Sequence, residues 1–436
     1  MSSTMVISLI GIILGLVCLV VFSFKGLNIY LNSFLFVFIV ALFGGLNIYE
    51  TFTGVYMEGF TGFIKGNFLV FIAGTVMGQC ALITGAAKSI ARGIVKVFGK
   101  KGSLLAIPIA CLVLSYGGVS AFVVGFTVFP IALEIFRDND APRRLIISGI
   151  CFGGATIAMC GPGAPQVQNS IPANACGVSL MAGATVGFIG CACTLIVGCI
   201  WYLAMIRNAQ KKGEHFIAKD GDFKTGEDEK PIPPFWSSIV PLIVTLILIN
   251  TILPLEVGVV LGALLMVILN IKYYPEWKKE FLPEMGKACA NALMFIGSVA
   301  AIAGVGGVVK ATPGFEAVVA GLQGISSNGL VGAAVGTMIL AGITASASGG
   351  LAIAAPILSE MYLGTVPAAA LSRIMSMASI TFDSMPHSGG IAANIYGIGR
   401  ETHKTAYIPI MNLCLITPCV GLVVALVLFT LFPGLP

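Results

Sequence analysis

The sequence predicts an all-α integral membrane protein. It is read as an inverted repeat, each half holding five transmembrane spans and one re-entrant hairpin, with two of the spans broken. Three observations predict this: apolar runs long enough to cross a bilayer, paired Gly/Ser/Pro interruptions, and residues that recur in the same order in both halves. Hydrophobic residues make up 57% of the 436 positions and charged residues only 10%. A soluble chain carries about a quarter charged residues, so a soluble fold is excluded. The net charge of +5 comes from basic residues scattered through short loops. That distribution reads as a topology signal and excludes a nucleic-acid partner. The 12 cysteines fall mostly inside apolar runs without metal-ligand spacing, which reads as small buried side chains and no metal.

A bilayer core needs about 20 apolar residues per helix. Residues 1–206 form the first repeat: spans at 5–24, 29–46 and 67–86, a hairpin at 104–136, a broken span at 142–172, and a span at 178–206. The first span lacks a basic leader region, so no cleavable signal peptide is expected. Residues 207–235 are a hydrophilic linker. Residues 236–436 form the second repeat: spans at 236–253, 255–273 and 288–309, a hairpin at 330–362, a broken span at 367–391, and a span at 406–432. The hairpin arms are too short to span singly and are split by polar breaks, hence the re-entrant reading, with kinked full spans as the alternative.

The duplication rests on matched residues. Asn67, Pro130, Glu134, Pro142, Pro162, Asn174 and Gly177 recur as Asn291, Pro356, Glu360, Pro367, Pro386, Asn394 and Gly397, at a slowly drifting offset. Five crossings per half is odd, so the halves insert oppositely. With the linker in the cytoplasm, every Lys and Arg except Lys65, Lys310 and Arg373 falls on the cytoplasmic side. Both termini are then outside, and the location is the cytoplasmic (inner) membrane.

Inverted repeats with broken helices are transporter architecture, with the site at the breaks. Backbone groups freed at a break need partners that hydrocarbon lacks, so the break faces protein or a wet cavity. Helix N-termini there present N–H groups to an anion. Four segments qualify. The first tip holds Ser115, Gly117, Gly118 and Ser120, and the first break holds Gly161, Gln166 and Asn169. The second tip holds Thr344, Ser346, Ser348 and Gly349, and the second break holds Asp383, Ser384, His387 and Ser388. All four are expected to converge on one substrate site. For any single Gly, helix packing is the plainer reading. For Asp383 and His387 the functional reading prevails, because ionisable groups at membrane depth are costly; they are the candidate proton carriers. Glu134 and Glu360 read as solvated hairpin ends, and His215 and His403 as solvated loop residues. Arg373 could bind a substrate carboxylate or snorkel outward.

The run T-F-D-S-M-P-H-S-G-G from Thr381 resembles the second-half signature of the gluconate permease (GntP-type) family, usually D-[ST]-L-P-H-N-G; Met385 and Ser388 depart from it. The tip A-S-A-S-G-G-L from Ala345 resembles that family's second hairpin. The run G-G-A-T-I-A-M-C-G-P-G-A-P-Q from Gly153 resembles the first broken helix of the wider ion transporter superfamily. The resemblance implies proton-coupled symport of a small hydroxycarboxylate such as gluconate or 3-hydroxybutyrate, with no cofactor, and Na+ as the other coupling ion to test. The Ser-Gly-Gly run is closer to members labelled 3-hydroxybutyrate permeases. A homodimer with a fixed scaffold and a mobile, elevator-like domain is also implied. The continuous spans 5–46, 178–206, 236–273 and 406–432 are the expected scaffold. The rival readings are a sodium/proton exchanger, a passive channel, and a membrane hydrolase using His387 with Ser384 or Ser388.

Overall fold

The computed structural model describes the chain except residues 1, 26, 120, 221, 224–230, 275, 318–320, 322–327, 387 and 436. It is helical, with no named strand among the described residues. Helix α1 (Ser3–Phe24) turns into α2 (Ile29–Gly44) at Asn28, whose side chain accepts the Tyr30 N–H. Then follow α3 (Ile48–Ile83), α4 (Ala86–Tyr116, kinked at Gly99), α5 (Ala121–Asp138) and α6 (Arg143–Cys160). The first half closes with α7 (Val167–Cys176) and α8 (Ala184–Lys211). The second half runs through α9 (Phe235–Thr251), α10 (Leu255–Tyr273), α11 (Trp277–Lys310), α12 (Gly329–Thr344), α13 (Ala347–Tyr362) and α14 (Ala368–Ser379). It ends with α15 (Gly389–Ala392, continued by a π turn, Ala393–Ile398) and α16 (His403–Leu431). Six of these helices are long and apolar enough to cross a membrane, and five more are shorter apolar helices.

Boundaries move where the sequence reading follows hydropathy alone. The span expected at 67–86 starts at Ile48, and the one expected at 288–309 starts at Trp277, because both helices continue into polar sequence. The segment after the second break runs to Ile398, past residue 391.

The packing divides the helices into two groups that meet where α11 packs on α13 and α9 on α4. Helices α3 and α11 lie along each other; α2 packs on α11 and α10 on α3, while α1 pairs with α2 and α9 with α10. Small residues permit the α3–α11 approach: a methyl on Gly59 would lie 3.0 Å from the Ala303 carbonyl oxygen and the Gly304 Cα. These six helices form a frame. The other group is built from the pairs α4/α5 and α12/α13 and from the broken helices α6–α7 and α14–α15. Helix α7 packs on α13 and α14, and α15 packs on α5, so the segment after each break reaches the other half's hairpin.

Helices α8 and α16 correct the expected scaffold. They pack on each other and on α6 and α14, inside the broken-helix body. The physical reason is a stripe of glycines. A methyl on Gly190 would lie 2.8 Å from the Gly421 carbonyl oxygen, one on Gly187 would lie 2.9 Å from Arg373 Cδ, and Gly198 abuts Phe152.

Candidate functional site

The first break starts where Gly161 leaves α6 in an extended conformation. Gly163 adopts φ +78, and a side chain there would meet Met181 Sδ at 2.7 Å and Asn250 Oδ1 at 2.9 Å, so only glycine fits. Every turn of this segment is tied. Asn250 Nδ2, from the frame, donates to the Gly163 carbonyl at 3.0 Å. Gln166 Nε2 donates to the Ser115 carbonyl at 2.6 Å, and the Tyr116 hydroxyl donates to Pro162. Asn169 Nδ2 donates to Ala164 at 3.1 Å.

Arg373 completes the lock. It comes from α14 and is 1% exposed. Its Nε donates to Ala182, Nη1 to the Cys160 carbonyl and Asn169 Oδ1, and Nη2 to Leu180 and Ala182, at 2.8–3.1 Å. A guanidinium has five N–H donors, and all five are used on neutral acceptors. Arg373 therefore neither binds a carboxylate directly nor snorkels outward. It pins the second broken helix to the first break, at the carbonyl end of α6 where a cation is favoured.

The first tip sits on this break. Gly118 has φ +99, and a methyl there would lie 3.3 Å from Pro165. Gly117 lies against Leu242 of α9. The Ser115 hydroxyl is buried with no partner. Beside the tip, a cavity of about 380 Å3 lies between α4, the break, α8 and α9, lined by Leu112, Tyr116, Gly161, Phe188, Cys191 and Leu242. Such walls offer an anion no charge. Ser120 lies outside the described residues.

The second break is held differently. Asp383 is half-buried and accepts from the Ser384 hydroxyl at 2.9 Å. The Tyr407 hydroxyl donates to the Ser384 carbonyl at 3.1 Å. His403 Nε2 donates to the Pro386 carbonyl at 2.9 Å, and its Nδ1 lies 2.8 Å from the Tyr396 hydroxyl. The His403 ring also stacks on Tyr407, with centroids 5.7 Å apart. Pro386 and Gly389 are exposed, whereas residues 161–165 of the first break are buried. Ser388 is buried, and its N–H closes a turn onto Met385. His387 lies outside the described residues.

The second tip turns at Ala345, which adopts φ +46. Ser346 caps α13 by accepting the Gly349 N–H at 3.2 Å, and Ser348 Oγ lies 3.3 Å from Ser346 Oγ. Thr344 is spent on the Leu340 and Ser346 carbonyls. Behind this tip, Gly342 packs on Phe382, so the tip adjoins the second break. Each tip thus joins the break of its own half, and the two clusters are bridged by Arg373 and by the α7–α13 and α5–α15 contacts. Helices α7 and α13 both begin at these clusters, presenting N–H groups suited to an anion.

Other expected residues separate from the site. Glu134 is exposed; Glu360 pairs with Lys310 at 2.5 Å, across α11 and α13. His215 is an exposed partner of Asp140. His403 and Tyr407 are the residues sequence reasoning missed. Their i, i+4 spacing is the available signal that one helical face is presented. Among the described residues, no group of three or more His, Cys, Asp or Glu could hold a metal ion.

Comparison with known proteins agrees with this architecture. A family model described as "GntP family permease" matches residues 3–313. The Bacillus subtilis protein named "Uncharacterized transporter YxjC" is 31% identical, over 96% of this chain and 98% of that protein. A Haemophilus influenzae "Uncharacterized transporter" is 27% identical, over 72% of this chain and 74% of its own length. Among solved structures, the Alcanivorax borkumensis YdaH transporter superposes with a TM-score of 0.59 at 15% identity, covering 88% of each chain. That last likeness concerns the fold alone.

Proposed function

We propose, from the premise that this chain belongs to the GntP permease family, that it is a proton-coupled symporter of a small hydroxycarboxylate, 3-hydroxybutyrate or gluconate. The chain is a multi-pass membrane transporter and not an enzyme. The observation that carries the finer reading is Asp383. It is an acid placed in a helix break, bonded to Ser384, beside a tip whose Ser346 and Ser348 supply hydroxyl groups. A proton on Asp383 offsets the charge of a bound carboxylate and lowers the cost of carrying it through a low-dielectric path. His387, four residues on, is the second candidate carrier.

The substrate carboxylate is assigned to the N–H groups at the starts of α7 and α13 and to the tip hydroxyls, since Arg373 has no donor to spare. Alternating access is assigned to the broken-helix body moving against the six-helix frame, elevator fashion; the sorting of contacts into two groups supports this. The interleaving of α7 with α13 and of α15 with α5 supports the inverted repeat. The remaining assignments are a cytoplasmic linker, outside termini, an inner-membrane location and a homodimer.

The test is uptake into proteoliposomes of labelled 3-hydroxybutyrate, gluconate and related hydroxyacids, with pH and Na+ gradients imposed separately. Accumulation driven by the pH gradient is expected for at least one of them. Accumulation of none, or a Na+ gradient driving it alone, overturns the reading. Proton release without organic-anion uptake would favour the exchanger.

A further inference from the structure

The linker between the halves is bonded to the ends of both broken helices. Just before it, at the end of α8, Gln210 Nε2 donates to the Asn139 carbonyl at 2.9 Å. Glu214 takes Arg144 in a two-pronged pair at 2.7 and 2.8 Å. Asp140 accepts the Phe216 N–H at 3.0 Å, and Arg137 lies 4.6 Å over the Phe223 ring. These contacts lay the linker along the ends of α5 and α6.

Asp222 is the centre of the arrangement. Its carboxylate takes Arg143 from two sides at 2.7 and 2.8 Å and also pairs with Arg400. Arg143 continues to Glu401 at 2.6 Å and to the Gly399 carbonyl at 2.7 Å. Lys219 closes the ring, reaching Glu401 at 2.8 Å and the Arg400 carbonyl at 2.6 Å. Asp222 is 0% exposed, Arg143 3% and Glu401 7% by side chain. Arg143 opens α6; Gly399, Arg400 and Glu401 follow α15. One linker carboxylate therefore joins the foot of the first broken helix to the foot of the second.

Backbone strain marks the same two places. Among the described residues, three non-glycines have positive φ: Asp140 (+48), Arg400 (+49) and Ala345 (+46). The first two are the turns the linker binds, Asp140 through His215 and Phe216, Arg400 through Asp220 and Asp222. Strained turns persist where the surroundings over-determine them. A buried ion network is a weak stabiliser, because desolvation opposes its attraction, but it holds its members in place.

We propose that Asp222 is a positioning residue for transport: it locks the feet of both broken helices together, so that α6 and the α15–α16 corner shift as one body. This rests on the transport reading, so its test includes a readout that needs no substrate. Full-length protein in nanodiscs is compared with D222N, D222E and K219A by hydrogen exchange, and the same proteins are assayed in proteoliposomes with 3-hydroxybutyrate and gluconate. In D222N, exchange is expected to rise at least tenfold at both 140–146 and 399–405, maximal uptake to fall at least fivefold, and half-saturation to stay within twofold. D222E is expected to restore most of both. K219A, the milder change, loosens 399–405 alone. Faster exchange confined to 210–223, or loosened feet with unchanged uptake, overturns the proposal. If D222N does not fold, unchanged exchange at 399–405 in K219A overturns it. If the unaltered protein takes up neither compound, the transport reading fails, while the exchange comparison still decides whether Asp222 joins the feet.

Discussion

The two helix breaks come from matched sequence positions, Pro162 and Pro386, yet they are built to opposite ends. The first is buried and tied at nearly every residue: Arg373 spends five donors on and around it, and Tyr116, Gln166, Asn169 and Asn250 close the rest. The second is partly exposed and held at two carbonyls by Tyr407 and His403, with an acid left half-buried beside it. A chain break in a membrane must satisfy its backbone. The first break does so through protein side chains, Arg373 foremost among them. The second leaves Pro386 and Gly389 exposed and Asp383 half-buried. The difference teaches that matched sequence motifs can be finished differently, one break closed by neighbouring side chains and the other left partly open.

Substitution should separate the two. Arg373→Met leaves three acceptors without donors, the Cys160 and Ala182 carbonyls and Asn169 Oδ1, while the Leu180 carbonyl keeps the Gly163 N–H. Each unsatisfied buried group costs about 1–3 kcal/mol, so a loss of about 3 kcal/mol or more is expected. Thermal unfolding in detergent measures it, and Arg373→Lys should recover only part, because an ammonium lacks the planar fork. A soluble, fully stable Arg373→Met would mean that the first break does not depend on this guanidinium. Asp383→Asn is the counterpart. It should change stability by under about 1 kcal/mol, since one hydroxyl contact is altered. Accumulation driven by a pH gradient should vanish, while exchange of substrate for substrate survives. Unchanged pH dependence would move the proton carrier elsewhere.

Much of this fold is legible in the sequence, because a bilayer imposes a length and a hydropathy that few other structures share. The breaks are legible too, since Gly and Pro cluster there. What separates the breaks is not. The partners of Arg373 are mostly backbone carbonyls, which carry no signal in a sequence, so carboxylate binding and snorkelling look like its only choices there. The seating of α8 and α16 on the broken helices is written in Gly187, Gly190, Gly198 and Gly421, but continuity and lack of charge read as marks of a scaffold. His403 looks solvated because its sequence neighbours are polar; its bonds run back 17 residues to Pro386. The pairing of Asp222 with Arg143 spans 79 residues of chain and has no local trace.

A smaller effect sharpens the comparison at the second break. Tyr407→Phe removes the hydroxyl that donates to Ser384, and His403→Gln removes the ring stacked on Tyr407 while leaving an amide able to donate to Pro386. Each should cost about 1 kcal/mol, roughly the net value of one hydrogen bond. The expected readout is a several-fold change in half-saturation for uptake with accumulation preserved, because Asp383 remains. Tyr116→Phe removes the matching bond at the first break. If it altered half-saturation as much as Tyr407→Phe, the two breaks would be equal partners after all.

The smallest effect concerns acid, and it tests whether the asymmetry stops at the breaks or extends to the feet beneath them. Burial pushes the Asp222 carboxyl up, but hydrogen bonds from Arg143 and the Lys219 N–H and the charges of Arg143 and Arg400 prevail and hold it below the ordinary aspartate range. The Arg144 hydrogen bond likewise lowers Glu214, and the His215 and Phe216 hydrogen bonds lower Asp140. The sign follows from proton counting. A carboxyl lowered in the folded protein binds fewer protons than in the unfolded chain, so folding is favoured above the unfolded value and that gain is lost as pH falls. Unfolded Asp and Glu titrate near about 4, so little should change between pH 8 and 5, and loosening should begin below that. Hydrogen exchange at 140–146 and 399–405 should rise together on acidification, because both feet hang on Asp222. A rise at one foot alone would carry the asymmetry of the breaks down to the linker. A rise already near neutral pH would point to an imidazole rather than to these carboxylates.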